Sequence, residues 1–340
     1  MRVDTDDPPP SWPAGPCDAD PCETLSEYGF FTGDLADLTP ALGVHSYEPN
    51  ARLWSDNAGK SRFIFLPEGE SVDLGAVEDW GFPVGSVVIK SFWFAEDLAI
   101  PEGPRRHIET RLLVRGEDDW EGEVYLWNDD QTEAERFVAG TRVTLDYTDL
   151  DGVLAEHEYV VPNTNQCITC HGRDDEMHLL GVITPQLNRW GPDGVNQLTA
   201  LAEAGLFADA IPDPESLPTL ADPEGDEAVT PRARAWLHAN CSHCHRLGGG
   251  GGSSGLTLLE WEETPVNFGV CRSPVAAGAG TGGFSYDISP GHPEESILVY
   301  RMSATDPAVK MPEIPNLLVP EAGVQLVEDW IAQMDYPDCL

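Results

Sequence analysis

Positive charge is scarce in this chain: 19 Lys and Arg stand against 59 Asp and Glu, a formal charge of −40 over 340 residues. That balance disfavours nucleic acid and anionic membrane surfaces as partners, because both bind through clustered Lys and Arg. The acidic residues are spread along the whole chain and not massed in one block, which reads as a solvated surface. Also missing is any apolar run near the roughly 18 residues of a membrane span, so no transmembrane segment is expected. The start, Met1-Arg2-Val3-Asp4-Thr5-Asp6-Asp7, has no apolar h-region, so no export signal is visible in this sequence. Apolar residues make up 41%, enough for packed cores. The length exceeds what one core usually serves, so two or three domains are expected.

Four of the 8 cysteines fall in two copies of one pentapeptide, Cys167-Ile168-Thr169-Cys170-His171 and Cys241-Ser242-His243-Cys244-His245. Each is C-x-x-C-H, the spacing that attaches a c-type haem. Two thiols add across the haem vinyl groups, and the adjacent His reaches the iron as proximal ligand. At this abundance of Cys and His, on the order of 0.005 such pentapeptides would arise by chance. A zinc site built from two Cys-x-x-Cys pairs is the competing reading, but it has no use for His directly after the second Cys of both pairs. The expected cofactors are therefore two covalently attached haem c, with His171 and His245 as proximal iron ligands. Haem c is attached on the oxidising side of the bacterial membrane, which implies a periplasmic or extracellular location. The export signal would then have been removed or lie outside this sequence.

Cys17, Cys22, Cys271 and Cys339 remain. An even remainder in an exported protein favours disulfides, and four thiols allow three pairings. Cys17–Cys22 would be local, and Cys271–Cys339, the preferred set, would tie down the last segment.

Residues 1–22, with Pro8-Pro9-Pro10, read as a flexible tether. From 23 to 162 the pattern is β-rich: Val84–Phe94 is β-branched and aromatic, and Ile108–Val114 and Trp120–Trp127 alternate. Arg142–Tyr147 and Val153–Val161 flank the turn Asp149-Leu150-Asp151-Gly152. At least six strands predict an N-terminal antiparallel β-sandwich-like domain. A first haem-binding segment occupies 163–210, including an amphipathic helix over Asn196–Phe207. Residues 211–229, rich in proline, are a linker. Thr230-Pro231 starts a helix that runs into Cys241, and Gly323–Met334 repeats apolar residues at helical spacing. The run Gly248–Gly252 reads as a mobile loop.

With Lys310-Met311-Pro312 between those helices, residues 230–340 resemble a class I cytochrome c domain. The resemblance implies an all-α C-terminal domain in which a helix precedes the haem motif, a terminal helix packs on it, and Met311 is the distal ligand. The fold class expected for the whole is thus α+β and multidomain. The full chain is also similar to an uncharacterised group of bacterial dihaem cytochromes c with a β-rich amino-terminal region. Tyr28-Gly29-Phe30-Phe31, Leu53-Trp54-Ser55-Asp56, Ile108–Leu112 and Gln186-Leu187-Asn188-Arg189 carry that likeness.

Met302 is the rival to Met311, but it ends the apolar run Ile297-Leu298-Val299, which suits core packing. For the first haem the distal candidates are Met177 or His178, with His45, His107, His157 and Lys90 in the β-rich region as others. The expected function is electron transfer outside the cytoplasm, with redox proteins, basic ones among them, as partners. Two alternatives stand beside it. One is a dihaem peroxidase-type oxidoreductase with a five-coordinate first haem; the other is a redox subunit whose β-domain docks an enzyme or a carbohydrate. An electron-transfer protein is favoured over a catalyst, because no acid/base partner stands out in the sequence.

Overall fold

The computed structural model describes residues 21–75, 77, 78, 80–275, 277–313 and 316–339. By compactness the chain divides into two units, one of Met1–Glu48, Ala58–His157 and Trp190–Leu217, the other of Pro49–Asn57, Glu158–Arg189 and Pro218–Leu340. Both C-x-x-C-H motifs therefore fall in the second unit. Residues 1–20 of the expected tether lie outside the described residues.

The first unit is built on one six-stranded antiparallel sheet whose strands follow chain order: Val44–Ser46, Gly59–Phe65, Val87–Ala95, Arg105–Arg115, Trp120–Trp127 and Ala134–Arg136. Register pairs Phe63 with Ile89 and Ile89 with Leu112. The period-2 alternation thus gathers Phe63, Phe65, Val87, Ile89, Leu112 and Tyr125 on one face. Leu25, Tyr28, Phe30 and Leu38 cover that face to form a core, where each fully buried side chain contributes about 1.5–3 kcal/mol relative to exposure. The polar end of this core is closed by Tyr125, whose hydroxyl donates to the Cys22 carbonyl at 2.8 Å and lies 2.8 Å from Tyr28 Oη. Cys22 is disulfide-bonded; its expected partner, Cys17, lies outside the described residues. The sandwich expected here is not formed. The layer over this face is an irregular segment with two 3₁₀ turns, Ser26–Tyr28 and Leu35–Asp37, and the short antiparallel pair Phe31–Thr32 with Thr39–Pro40. The strands expected on either side of the 149–152 turn do form, Thr141–Thr148 and Leu154–Val161, but stand outside the six-stranded sheet.

The fold class is corrected further in the second unit. Among the described residues helix is confined to six short segments, and the protein is mostly β with no C-terminal all-α cytochrome domain. In chain order they are α1 (Cys167–His171), α2 (Thr184–Leu187), α3 (Gln197–Glu203), α4 (Val229–Cys241), α5 (Ile297–Met302) and α6 (Glu321–Ala332), the last three after residue 228. Between α4 and α5 the described residues make only turns, coil, isolated bridges and two 3₁₀ turns. The physical reason is composition. The Gly248–Gly252 run and Pro265, Pro274, Pro290 and Pro293 cannot sustain helical hydrogen bonding. The helix pair itself does form. Trp236 of α4 lies so close to Gly323 of α6 that a Cβ there would collide with the indole. Leu237, Phe268, Val299, Met302, Val327 and Trp330 make up much of the common core. Cys271 and Cys339 are joined by a disulfide across a separation of 68 residues, as expected.

Asp287 is 7% exposed, and its Oδ2 is buried without a hydrogen-bond partner. Burial raises its pKa to about 6 against the opposing charges of Arg272 and Arg301. Because the folded value lies above the ordinary 3.8, the stability this carboxyl permits is full below the unfolded pKa and is lost as pH rises through 6. Asp287→Asn is expected to stabilise the protein at pH 7 by up to about 3 kcal/mol. It should also flatten the dependence of stability on pH between about 4 and 6. Urea titrations at several pH values test this, and an Asp287→Asn variant no more stable at pH 7 refutes it.

Candidate functional site

The first motif is introduced by a reciprocal cap. Asn163 Oδ1 accepts from the Gln166 N–H at 3.1 Å, and Gln166 Oε1 accepts from the Asn163 N–H at 3.0 Å. This capping box starts the 3₁₀ turn Thr164–Gln166, which runs directly into the short helix α1, Cys167–His171. The chain then reverses through a two-residue hairpin, Gly172–Arg173 against Glu176–Met177, with Asp174 and Asp175 in the left-handed region at φ 53° and 67°. The reversal brings the His178 carbonyl to 2.7 Å from His171 Nδ1. A carbonyl only accepts, so His171 carries its proton on Nδ1, and its lone pair is on Nε2.

The second motif reaches the same electronic state by another route. Helix α4 ends in the motif itself, and His245 N–H donates to the Cys241 carbonyl at 2.9 Å, closing the turn that sets the imidazole after the two thiols. His245 Nδ1 lies 3.0 Å from Ser254 Oγ, while that hydroxyl donates to the Gly251 carbonyl at 2.7 Å. With its one proton committed, Ser254 accepts from His245 Nδ1–H, which again leaves the lone pair on Nε2. Burial, aided by the charge of Arg301, lowers the His245 pKa to about 4. The imidazole is therefore neutral, the form that binds iron. Burial pushes the Cys241 thiol up to about 12, with Cys244 adding to it. Cys244 is raised to about 11 by burial, Cys170 and Glu313. Sequence analysis offered no sign of Ser254, which sits two residues beyond the Gly248–Gly252 run read as a mobile loop. That run is a series of hydrogen-bonded turns: Gly251 N–H donates to the Cys244 carbonyl at 2.9 Å and Gly252 N–H to the Gly249 carbonyl at 2.9 Å.

Met311 is half-buried, and its N–H donates to the Arg301 carbonyl at 2.9 Å, fixing it to the end of α5. The neighbouring Lys310 Nζ donates to the carbonyls of Pro312 and Glu313 at 2.7 and 2.6 Å, so the turn after Met311 is clamped from within. Met302, 2% exposed, belongs to the core with Val299 and Phe268.

Residues 49–57 brace this unit. Gln186 and Ala51 exchange hydrogen bonds of 2.8 and 3.1 Å, and Asn50 Nδ2 donates to the carbonyls of Pro185 and Asn188 at 3.0 and 2.9 Å. Asn240, next to Cys241, accepts from the Trp54 N–H at 2.6 Å. Asp56 accepts from the N–H groups of Leu317 and Leu318 at 2.7 and 3.0 Å. One segment thus links the helix bearing the second motif to the chain that follows Met311. Leu53–Asp56 and Gln186–Arg189 are visible in the sequence as motifs, but no local pattern shows that they meet.

The candidates for the first distal ligand separate by environment. The His178 carbonyl engages the ring of His171, and Arg173 Nη2 donates to His178 Nδ1 at 3.1 Å, which puts the proton of a neutral His178 on Nε2. Met177 lies on the same hairpin. In the first unit, His107 Nε2 donates to the Ala36 carbonyl at 2.8 Å and stacks on Trp127 at 4.6 Å. His157 packs near Phe94, and burial lowers the pKa of His45. Lys90 stands in register between Arg62 and Arg111.

These residues fit haem c. Each motif has its thiols and a proximal imidazole already in the required tautomer, held through Nδ1 by a second partner as metal-bound histidines are. The second site adds a thioether on a clamped turn. Trp54 Nε1 is a buried donor with no hydrogen-bond partner, which suits a carboxylate brought by the cofactor. No protein-family model, curated protein or solved structure matches the chain. No helix of the described residues is long and apolar enough to cross a membrane.

Proposed function

We propose that this chain is a dihaem c-type cytochrome that carries electrons in the periplasm or outside the cell. Cys167 and Cys170 hold one haem c, and Cys241 and Cys244 hold the other. His171 and His245 are the proximal ligands, and Met311 is the distal ligand of the second. The observation that carries this reading is that both motif histidines have Nδ1–H engaged, by the His178 carbonyl and by Ser254 Oγ, so each lone pair is on Nε2. Bound haem supplies a one-electron ferric–ferrous couple. The chain's own residues hold the imidazoles, partly desolvate His245 and set the potential through a soft sulfur ligand, which favours ferrous iron. The chain's excess of acid suits basic redox proteins as partners.

Matured protein is expected to exceed the polypeptide mass by two haems and to keep its colour through acid–acetone extraction. A mass corresponding to one haem or none refutes the reading.

A further inference from the structure

The two haem motifs, far apart in sequence, touch each other within the second unit. The Cys244 thiol donates to the Thr169 carbonyl at 3.7 Å, and Thr169 directly precedes Cys170. Arg173 forms an antiparallel bridge with Gly249, and the Asp174 N–H donates to the Gly248 carbonyl at 3.3 Å. The glycine run makes this closeness sterically feasible. A Cβ at Gly248 would collide with the Asp174 carboxylate, and one at Gly249 would sit 2.6 and 2.8 Å from the carbonyls of Cys244 and His243. At Gly250 it would lie 3.6 Å from the Thr169 carbonyl, and at Gly251 3.1 Å from His245 Cε1. Gly249, Gly250 and Gly251 therefore lie against one motif or the other, and Gly248 against the turn that follows the first.

We propose that Gly248–Gly251 is a junction locking the two C-x-x-C-H segments into one assembly, so that the haems are held at a fixed, short spacing and are electronically coupled. The inference rests on the dihaem reading above. Haem c is bonded to its chain at the cysteine sulfurs, so part of each macrocycle's rim lies there. The contact of Cys244 Sγ with the residue before Cys170 brings those two rims together.

The test is circular dichroism of the holoprotein in the Soret region, with intact mass on the same sample. Coupled haems give a couplet of two signs that is not the sum of two isolated haems. The wild type is expected to show it when fully oxidised and when fully reduced. The Cys167→Ala/Cys170→Ala variant, with one haem by mass, should lose it. Should that variant fail to mature, Gly249→Ala provides a second arm, since its Cβ meets the Cys244 and His243 carbonyls and so displaces the backbone that bridges to Arg173: two haems by mass with a changed couplet are expected. A wild type with two haems and no couplet overturns the inference and leaves the dihaem reading intact. So does a Gly249→Ala protein with two haems and the wild-type couplet. A wild-type mass short of two haems removes the dihaem reading and the inference together.

Discussion

Replacing Met311 with Ala is expected to abolish the weak near-infrared sulfur-to-iron band of the ferric protein and to lower the potential of one haem while leaving the other unchanged. A thioether stabilises ferrous iron, and its removal gives the site to water or a harder ligand. The structure sharpens the contrast with Met302. Met311 is half-buried on a turn pinned by its own N–H to Arg301 and by Lys310 to the next two carbonyls. Met302 is 2% exposed within the core of α4 and α6. Met302→Ala should therefore cost about 2–5 kcal/mol of stability through the cavity it leaves, with the band retained. Near-infrared absorption of both variants decides the assignment. Loss of the band in Met302→Ala alone would reverse it.

The chemistry of the site was legible because it is local. Each pentapeptide holds two thiols and an imidazole, and no tertiary contact is needed to recognise it as a candidate haem site. Strands such as Val87–Ala95 were legible for a similar reason, since β-branched and aromatic residues with flanking turns report directly on a buried pleated surface. Helix α4 was announced by Thr230-Pro231 and runs into Cys241 as expected. What stayed hidden depends on residues distant in sequence. Thr169 and Cys244 are 75 residues apart, and nothing in either pentapeptide states that they touch. Ser254 acts through a single hydroxyl just beyond a run whose glycines suggest mobility, yet Gly251 in that run is what lets the backbone approach His245 so closely. The sandwich was wrong although the expected strands formed, because alternation within a strand does not state which strands share a sheet. The all-α terminal domain was wrong because helix was extended into stretches governed by glycine and proline. There the chain packs as turns, and an irregular segment can cover a sheet face as well as a second sheet does.

Asp56→Ala is expected to cost about 3–5 kcal/mol, a large effect for one surface-sized side chain. Asp56 is 2% exposed and accepts from two successive N–H groups, those of Leu317 and Leu318. Ala would leave both part-buried donors without their acceptor. Hydrogen bonds to a charged acceptor are the stronger kind, worth roughly 1.5–3 kcal/mol each. The functional effect follows from where these donors lie. They anchor the chain soon after Met311, and Asp56 also contributes a favourable charge to Lys310, whose ammonium clamps the Met311 turn. Loosening that anchor should weaken the near-infrared band without removing the methionine. Asp56→Asn keeps one accepting oxygen and should lose about half as much stability, with the band largely preserved. Denaturant unfolding of the three proteins, read beside their near-infrared spectra, separates the outcomes. If Asp56→Ala is destabilised but its band is unchanged, the brace supports the fold alone and does not hold the ligand. If it is as stable as the wild type, the two hydrogen bonds do not anchor this segment.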